Sequence, residues 1–333
     1  MGRLEISIGI SPREALADWM GFTRRLEQEG VDRLWLIDSQ LAMKDVYVGL
    51  AAAAVGTERL ELGTGVTNLV TRHPTVTASS IGAIAELSNG RAHLGLGAGD
   101  SAVYGLGRPP SRVAKVEAAL GFFREVLSGG EGEWGGRRFS LPYRPPPIKV
   151  YLAVSQERMC RLAGRLADGA IVMGPSQLDV LARQVGWVLE GMEGAGRARG
   201  EVDIRAVTTV SVSDDASTAL RDVRSWATGQ ARLLADVADL PESLLRYREE
   251  LERAKEAYDY SEHLSTRAGH KDVISDDLVR TLAVVGSADS CAARLAELGS
   301  TGVDGFILPL MGANRLSRLV RLRDGVLSGL ATA

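Results

Sequence analysis

Several hallmarks of common protein classes are scarce or missing in this sequence of 333 residues. The only two cysteines, Cys160 and Cys291, lie far apart and form no CxxC pair, so neither a disulfide framework nor a zinc site is supported. HxH and HExxH spacings, G-x-S-x-G and Walker A motifs are also lacking. The sequence offers no evident metal centre and no evident nucleophile, and this favours chemistry performed by an organic cofactor.

Long apolar runs and an excess of one charge are missing as well. No segment approaches the roughly 18–20 apolar residues of a membrane span. The apolar part of MGRLEISIGI is too short for a signal peptide. With 39 basic and 42 acidic residues and no basic run, the chain is not typical of nucleic-acid-binding proteins. We therefore expect a cytoplasmic protein with neither a membrane nor a nucleic acid as partner.

Short apolar runs alternate with amphipathic helical stretches along the chain, and this rhythm predicts the fold. Eight strands are predicted, nearly all followed by a helix, at residues 4–10, 32–37, 60–66, 92–97, 148–154, 169–173, 202–212 and 303–310. Alternating units of this kind imply a parallel sheet. Eight of them predict an α/β protein with a (β/α)8 TIM barrel. A doubly wound open sheet is the alternative, but the first strand ends in GISP, which is no dinucleotide-binding fingerprint.

One long segment interrupts the alternation. Residues 213–285 are charged, mostly helical by pattern, and too long for a plain loop. We predict one barrel domain over residues 1–333, in which residues 213–285 are a helical insertion at the carboxyl-terminal rim of the strands. His263 and His270 fall in this insertion, where a surface position is the default expectation.

Most of the predicted strand ends carry glycine or small hydroxyl residues, as in GTGVTN, GLGAGDS and VMGPSQ. Glycine clusters let the backbone approach a ligand closely, and helix N-termini bind anions. A single such glycine is more often an ordinary turn, but several together favour a bound phosphorylated cofactor. Asp38 and Asp100 each end a strand, and either could bind that cofactor or act as an acid; the alternative is a turn or helix-capping role.

The segment GTGVTNLVTRHPTVTASSIGAIAELSNGRAHLGLGAGDS, residues 63–101, closely resembles the luciferase-like flavin and deazaflavin oxidoreductase superfamily. AVSQERMCRLAGRLADGAIV and the insertion and C-terminal segments are similar to its methylenetetrahydromethanopterin reductase branch, which uses coenzyme F420. The resemblance implies a TIM barrel and an F420-dependent oxidoreductase that transfers hydride between the deazaflavin and an organic substrate. An FMN-dependent monooxygenase on the same scaffold is the alternative, and a non-catalytic cofactor-binding protein is a third possibility.

The resemblance also implies which residues form the site. The third strand of this superfamily carries a bulge behind the ring, often with a non-prolyl cis peptide, which by position is Gly65–Val66. Asp38 and Glu117 match carboxylates of the reductase branch and are the candidate catalytic residues; for Glu117, an ordinary solvated helix position is the alternative. The candidate cofactor-binding residues are Asp38, Thr64, Gly65, Val66, Asn68, Gly97, Ala98, Gly99, Asp100, Ser101, Ser155, Gln156, Met159, Gly174 and Pro175.

Two positions depart from the reductase branch. Gly9 stands where the branch has a glutamate, and Ser39 stands where it often has a histidine. Both positions are on the substrate side of the pocket in that branch, so we expect a retained cofactor site and a different substrate. The expected partner is a small-molecule or modified-peptide substrate with an activated C=C or C=N bond. The alanine-rich helix at residues 47–55 and the helix that begins at Pro74 suggest a homodimer face.

Overall fold

The computed structural model describes residues 5–327, apart from Leu41, Pro175, Gly312 and Ala313. The strands are β1 (Glu5–Ile10), β2 (Arg33–Leu36), β3 (Glu61–Thr64), β4 (Thr67–Asn68), β5 (Ala92–Gly97), β6 (Gly132–Trp134), β7 (Arg137–Phe139), β8 (Lys149–Val154), β9 (Gly169–Val172), β10 (Asp203–Val207), β11 (Val210–Val212), β12 (Val284–Gly286) and β13 (Gly305–Pro309).

The α-helices connect these strands. They are α1 (Leu16–Gln28), α2 (Val46–Gly56), α3 (Pro74–Leu87), α4 (Ser101–Tyr104), α5 (Val113–Leu127), α6 (Glu157–Leu166), α7 (Leu178–Gly194), α8 (Ala216–Ala235), α9 (Glu242–Leu245), α10 (Arg248–Glu256), α11 (Asp276–Leu282), α12 (Ala288–Gly299) and α13 (Arg315–Leu322). Short 3-10 turns lie at Arg199–Glu201, Tyr260–Glu262 and Gly269–Val273, and a π-helical turn at Arg323–Leu327.

Eight strands close into a parallel barrel in the order β3-β2-β1-β13-β10-β9-β8-β5, with β5 hydrogen-bonded back to β3. They correspond to the eight strands predicted from the sequence, so the TIM-barrel prediction is confirmed. Every residue of β5 is buried, as expected of a parallel strand covered on both faces. Parallel register aligns the carboxyl ends of the strands, and the small residues of the predicted rim follow those ends.

Two details of the strands differ from the prediction. The seventh predicted strand is two strands, because β11 leaves the barrel and pairs in parallel with β12 in a separate two-stranded sheet. The glycine- and proline-rich stretch at residues 129–147 contains an antiparallel hairpin formed by β6 and β7. Trp134 and Phe139 of this hairpin make edge contacts with Phe122 of α5, and an isolated hairpin needs such packing to be stable.

The chain divides into two compact units. The first unit comprises Ser7–Ile171 and Trp187–Asp203; the second comprises Val172–Gly186 and the described residues from Ile204 onward, together with residues 5 and 6. Within the second unit, residues 213–285 are largely helical, as predicted, and α8 packs against α10 and α11. The prediction that this segment forms a rim insertion of a single domain stays a prediction.

The expectation of surface histidines in residues 213–285 is wrong. His263 and His270 are both buried. His263 Nδ1 lies 2.8 Å from the Tyr258 hydroxyl, and the His270 and Tyr258 ring centroids are 4.3 Å apart. The Arg232 guanidinium lies 5.0 Å from the centre of the Tyr258 ring. Aromatic rings attract such a cation, so both histidines are buried in a cluster of aromatic and charged side chains that their local sequence does not reveal.

Among the described residues, no helix is both long enough and apolar enough to cross a bilayer. The same part of the chain contains no group of three or more His, Cys, Asp or Glu side chains suited to hold a metal ion. Both cysteines are free and buried, and burial raises the pKa of Cys160 to about 12 and that of Cys291 to about 11. Thiols of this kind are structural.

Candidate active site

The chain bulges between β3 and β4, and the Gly65–Val66 peptide bond in this bulge is cis, as the family resemblance implies. Gly63 and Gly65 leave room for the fully buried Trp35 on the neighbouring strand. A Cβ at Gly65 would lie 2.8 Å from Trp35 Cβ, and one at Gly63 would collide with the indole ring. Packing against a large side chain therefore explains both glycines of the GTG sequence.

Thr64 attaches the bulge to β5. Its hydroxyl donates to the Gly95 carbonyl at 2.7 Å and accepts from the Gly95 N–H at 2.9 Å. A Cβ at Gly95 would collide with the Thr64 carbonyl oxygen, and one at Gly97 would lie 2.9 Å from Val66 Cγ2. The glycines of β5 thus allow the bulge to approach, and the threonine fixes its position.

The loop after β5 is shaped by backbone conformation. Gly99 has φ +108°, and a Cβ there would collide with Val103. The Ala98 carbonyl accepts from the Ser111 N–H at 2.7 Å, which fixes the start of the segment that leads to α5. Asp100 occupies the N-cap position of α4, but its side chain does not cap the helix.

A pair of hydroxyls joins this loop to the end of β2. The Ser39 and Ser101 Oγ atoms lie 3.0 Å apart, and both residues are buried. Gln40 donates to the Ala102 carbonyl at 2.5 Å. Ser39 is one of the two positions that depart from the reductase branch, and its small side chain makes this direct contact possible.

Asp38 is the buried carboxyl of the site, with 7% of its surface exposed. The Thr67 hydroxyl donates to its Oδ2 at 2.8 Å, and Arg72 Nε lies 3.9 Å from the same oxygen. Burial raises the pKa of Asp38, and the Thr67 bond and the Arg72 charge offset only part of that effect. A carboxyl that holds its proton more readily than an exposed one suits general acid–base chemistry.

Four residues around Asp38 were missed by the sequence analysis: Thr67, Arg72, Asp45 and Tyr47. Thr67 lies inside the GTGVTN segment and could have been included with its neighbours. Asp45 is the N-cap residue of α2, Tyr47 lies in α2 and Arg72 lies in the loop before α3, and no local motif marks them. They converge only because β2 and β3 are adjacent in the barrel.

The predicted residue Asn68 holds the turn that follows the bulge. Its Oδ1 accepts from the backbone N–H groups of Val70 and Thr71, both at 2.9 Å. This side-chain turn is a common role of asparagine. Binding of a cofactor by Asn68 stays a prediction.

The start of α6 carries three further predicted residues. Gln156 is the N-cap position and makes no side-chain cap, so no side chain at that position covers the first-turn N–H groups. Ser155 precedes it and Met159 lies in the first turn; both are half-buried. Uncapped helix N-termini are suited to binding anions such as phosphate.

The remaining predicted residues lie elsewhere. Glu117, on α5, is half-buried, with 40% of its side chain exposed, and forms an ion pair with Arg165 of α6 at 2.9 Å. Gly174 lies in the second unit, where a Cβ would collide with the Gln184 side chain. Pro175 lies outside the described residues.

Comparison with known proteins identifies the family. Residues 4–305 match the luciferase-like monooxygenase family. The chain belongs to this family. It is 28% identical over 314 residues to the 5,10-methylenetetrahydromethanopterin reductase of Methanolobus tindarius, covering 90% of this chain and 92% of the relative. It is also 28% identical over 226 residues to the F420-dependent glucose-6-phosphate dehydrogenase of Kineococcus radiotolerans, covering 62% of this chain and 67% of the relative.

Solved structures support the same fold. The F420-dependent tetrahydromethanopterin reductase of Methanopyrus kandleri superposes with a TM-score of 0.82 at 22% identity, covering 99% of this chain and all of the other. An F420-dependent secondary alcohol dehydrogenase, solved with an F420–acetone adduct, superposes with a TM-score of 0.79 at 16% identity over 99% of both chains. At these identities the likeness establishes the TIM barrel, and the recognition made from residues 63–101 is confirmed by the family match.

Proposed function

We infer that this protein is a coenzyme F420-dependent oxidoreductase. Its relatives over most of the chain are F420-dependent reductases and dehydrogenases. The observation that carries the inference within the structure is the buried Asp38, hydrogen-bonded to Thr67 directly after the Gly65–Val66 bulge. The family also contains FMN-dependent monooxygenases, and these are more distant neighbours of this chain, at TM-scores of 0.70 and below in the solved structures compared.

The residues present fit such a cofactor at two points. The bulge is held rigidly between Trp35 and the glycines of β5, which makes it a firm support for a flat ring. The uncapped N-terminus of α6, with Ser155 and Gln156, offers backbone donors for a phosphate. When bound, the deazaflavin supplies two-electron hydride chemistry. The protein supplies binding, orientation and a proton at the Asp38 carboxyl.

For the substrate, we propose a small molecule or modified peptide with an activated C=C or C=N bond. Gly9 and Ser39 replace the glutamate and histidine of the reductase branch. Gly9 is buried in β1 and pairs with Trp35 of β2, and the Ser39 hydroxyl contacts that of Ser101. Neither residue can supply the acidic or imidazole group that the branch carries at its position. This supports a substrate other than a tetrahydromethanopterin derivative.

Cofactor choice is tested by titrating the purified protein with F420 and, in parallel, with FMN, following fluorescence quenching. We expect micromolar binding of F420 and binding of FMN at least about tenfold weaker, a difference of about 1.4 kcal/mol. Oxygen uptake with reduced FMN would instead identify a monooxygenase, because reduced deazaflavins react poorly with oxygen. Binding of F420 without turnover on any acceptor would favour the non-catalytic alternative.

The proton donor is tested by comparing Asp38→Asn with Glu117→Gln. If Asp38 is the acid, D38N lowers turnover by about 10²–10⁴-fold, the usual contribution of general acid–base catalysis, while the F420 dissociation constant changes little. Glu117 is engaged by Arg165 on the surface, so E117Q is expected to turn over near the wild-type rate. The reverse result would assign the role to Glu117.

We propose that the protein is a homodimer that associates through α2 and α3. These helices of the first unit expose Val48, Val55, Val76 and Leu87, each between 49% and 60% exposed. Half-buried Ala51 and its small neighbours on α2 permit close helix approach. An apolar face of this kind on neighbouring helices is typical of an interface.

We also propose a cytoplasmic location. Two free, buried cysteines are compatible with a reducing compartment. Fractionation of cells that express the tagged protein tests this, with recovery in the membrane fraction as the contradicting result.

A further inference from the structure

Asp38 is not the only carboxylate near Arg72. Arg72 Nη2 donates to Asp45 Oδ2, whereas Arg72 Nε stays 3.9 Å from Asp38 Oδ2. Asp38 is buried, and the Asp45 side chain is 42% exposed. One guanidinium thus lies between an inner and an outer carboxylate and is bonded to the outer one.

Asp45 is built to hold this position. It is the N-cap residue of α2, and its Oδ1 accepts from the N–H groups of Tyr47 and Val48 at 2.9 and 3.1 Å. Its other oxygen, Oδ2, is therefore directed to Arg72. The two oxygens have separate tasks: one caps the helix, and the other engages the guanidinium.

The Tyr47 ring packs against the Arg72 guanidinium. The Arg72 guanidinium carbon lies 4.8 Å from the centre of the Tyr47 ring, close enough for a cation–π interaction. Tyr47 itself is buried. Arg72 is thus held on the α2 side of Asp38 by a carboxylate and an aromatic ring.

We propose that Asp45 is a positioning residue for Asp38: by holding Arg72 at the N-terminus of α2, it keeps the guanidinium from closing onto the Asp38 carboxyl, which stays available to exchange a proton. The inference deepens the proposed function, because it rests on Asp38 as the acid. Asp45, the residue concerned, is the more exposed of the two carboxylates near Arg72.

The charged and hydroxyl groups that face Asp38 are few and come from three neighbouring elements. Thr67 of β4 donates to it, Arg72 of the loop before α3 approaches it, and Asp45, the N-cap residue of α2, adds a second negative charge nearby. If Arg72 left Asp45, a direct charge-assisted bond to Asp38 would replace a 3.9 Å contact. Such bonds strongly favour the ionised carboxylate.

Asp45→Asn is the matched substitution. Asparagine caps helices as well as aspartate does, so its Oδ1 still accepts from the N–H groups of Tyr47 and Val48. Its amide nitrogen is a hydrogen-bond donor, so it cannot bond the Arg72 guanidinium. Apo protein labelled with [4-13C]aspartate is titrated by NMR, and the Asp38 carboxyl is assigned as the resonance lost in Asp38→Asn. We expect D45N to lower the Asp38 titration midpoint by about one pH unit, a tenfold change in proton affinity. Asp45→Ser, another good cap, gives the same shift if D45N folds poorly.

A double variant separates positioning from the loss of one negative charge. Arg72→Met alone should raise the Asp38 midpoint, and Arg72→Lys should move it less. In the R72M background, D45N should shift the Asp38 midpoint by less than half as much as in the wild type, because only the direct charge of Asp45 is then lost. A shift of half or more in that background, or an unchanged midpoint in D45N alone, overturns the proposal. The measurement needs no F420, so its outcome is independent of whether the protein binds that cofactor.

Discussion

At the scale of single residues, the glycines of the bulge region serve close packing. Gly63 and Gly65 make room for Trp35, while Gly95 makes room for the Thr64 carbonyl. The bulge is therefore clamped from both sides by contacts that no larger residue permits. A GTG sequence at a strand end indicates close approach, but only the structure tells what approaches.

Gly95→Ala tests this clamp. The added methyl would meet the Thr64 backbone oxygen, which cannot turn away as a side chain can. We expect a loss of about 1–3 kcal/mol in the free energy of unfolding, typical of overpacking, together with weaker F420 binding. Urea denaturation and fluorescence titration measure the two effects.

Gly121→Ala is the control, because Gly121 lies in α5 with no atom within 4 Å of an added Cβ. There alanine should stabilise the helix by up to about 1 kcal/mol and leave F420 binding unchanged. Equal effects of the two substitutions would mean that Gly95 is not clamped.

At the scale of elements, the amino ends of the strands carry a buried polar network. Arg33, the first residue of β2, bonds Glu61 of β3 at 2.5 Å and Asp203 of β10 at 3.1 Å. Tyr151 of β8 donates to Asp203 at 2.7 Å, and His93 of β5 lies 3.2 Å from Glu61. This face is opposite to the one that holds Asp38, and residues at the amino face of such barrels serve stability.

Glu61 makes that stability depend on pH. The hydrogen bond from His93 and the charge of Arg33 lower the pKa of Glu61 to about 2, despite partial burial. A carboxyl with a lowered pKa in the folded state stabilises above its unfolded pKa of about 4.3. That contribution is lost as the pH falls from about 4.3 towards 2.

Glu61→Gln is therefore expected to cost stability at pH 6 and progressively less below pH 4, measured by urea denaturation at several pH values. Glu133→Gln, at an exposed position of β6, is the control and should differ little from wild type throughout. A constant difference between E61Q and wild type from pH 6 to pH 3 would contradict the assignment.

Periodicity was sufficient to predict the eight barrel strands but not the β6–β7 hairpin, the strand β12 or the polar clusters. Buried parallel strands are continuous apolar runs, so β5 and β8 could be located by pattern alone. Asp38 could be found because it ends a strand. Arg72 and Asp45 could not be found in this way, because the guanidinium can bond either of two carboxylates. Helix capping and tertiary packing decide which one it bonds. The burial of His263 likewise depends on tertiary packing, which the local pattern does not reveal.

At the scale of the whole molecule, the exposed apolar face of α2 and α3 has no counterpart among the other exposed large hydrophobic residues described, which are mostly scattered. Val55, at the end of α2, is the most exposed of them at 60%. Scattered apolar residues need no explanation, but four on two packed helices do. Association through this face would remove them from water.

Val55→Glu is expected to convert the dimer to a monomer. A carboxylate buried without a partner costs several kcal/mol, which weakens association by about a hundredfold or more. Sedimentation at micromolar concentration measures the mass, and thermal unfolding verifies that the exposed substitution leaves the fold intact. Leu245→Glu, at another exposed apolar position, on α9, is the control and should remain dimeric. If L245E dissociates and V55E does not, the interface lies on the second unit. If the wild-type protein is already monomeric, the face on α2 and α3 does not bind a second copy of the chain.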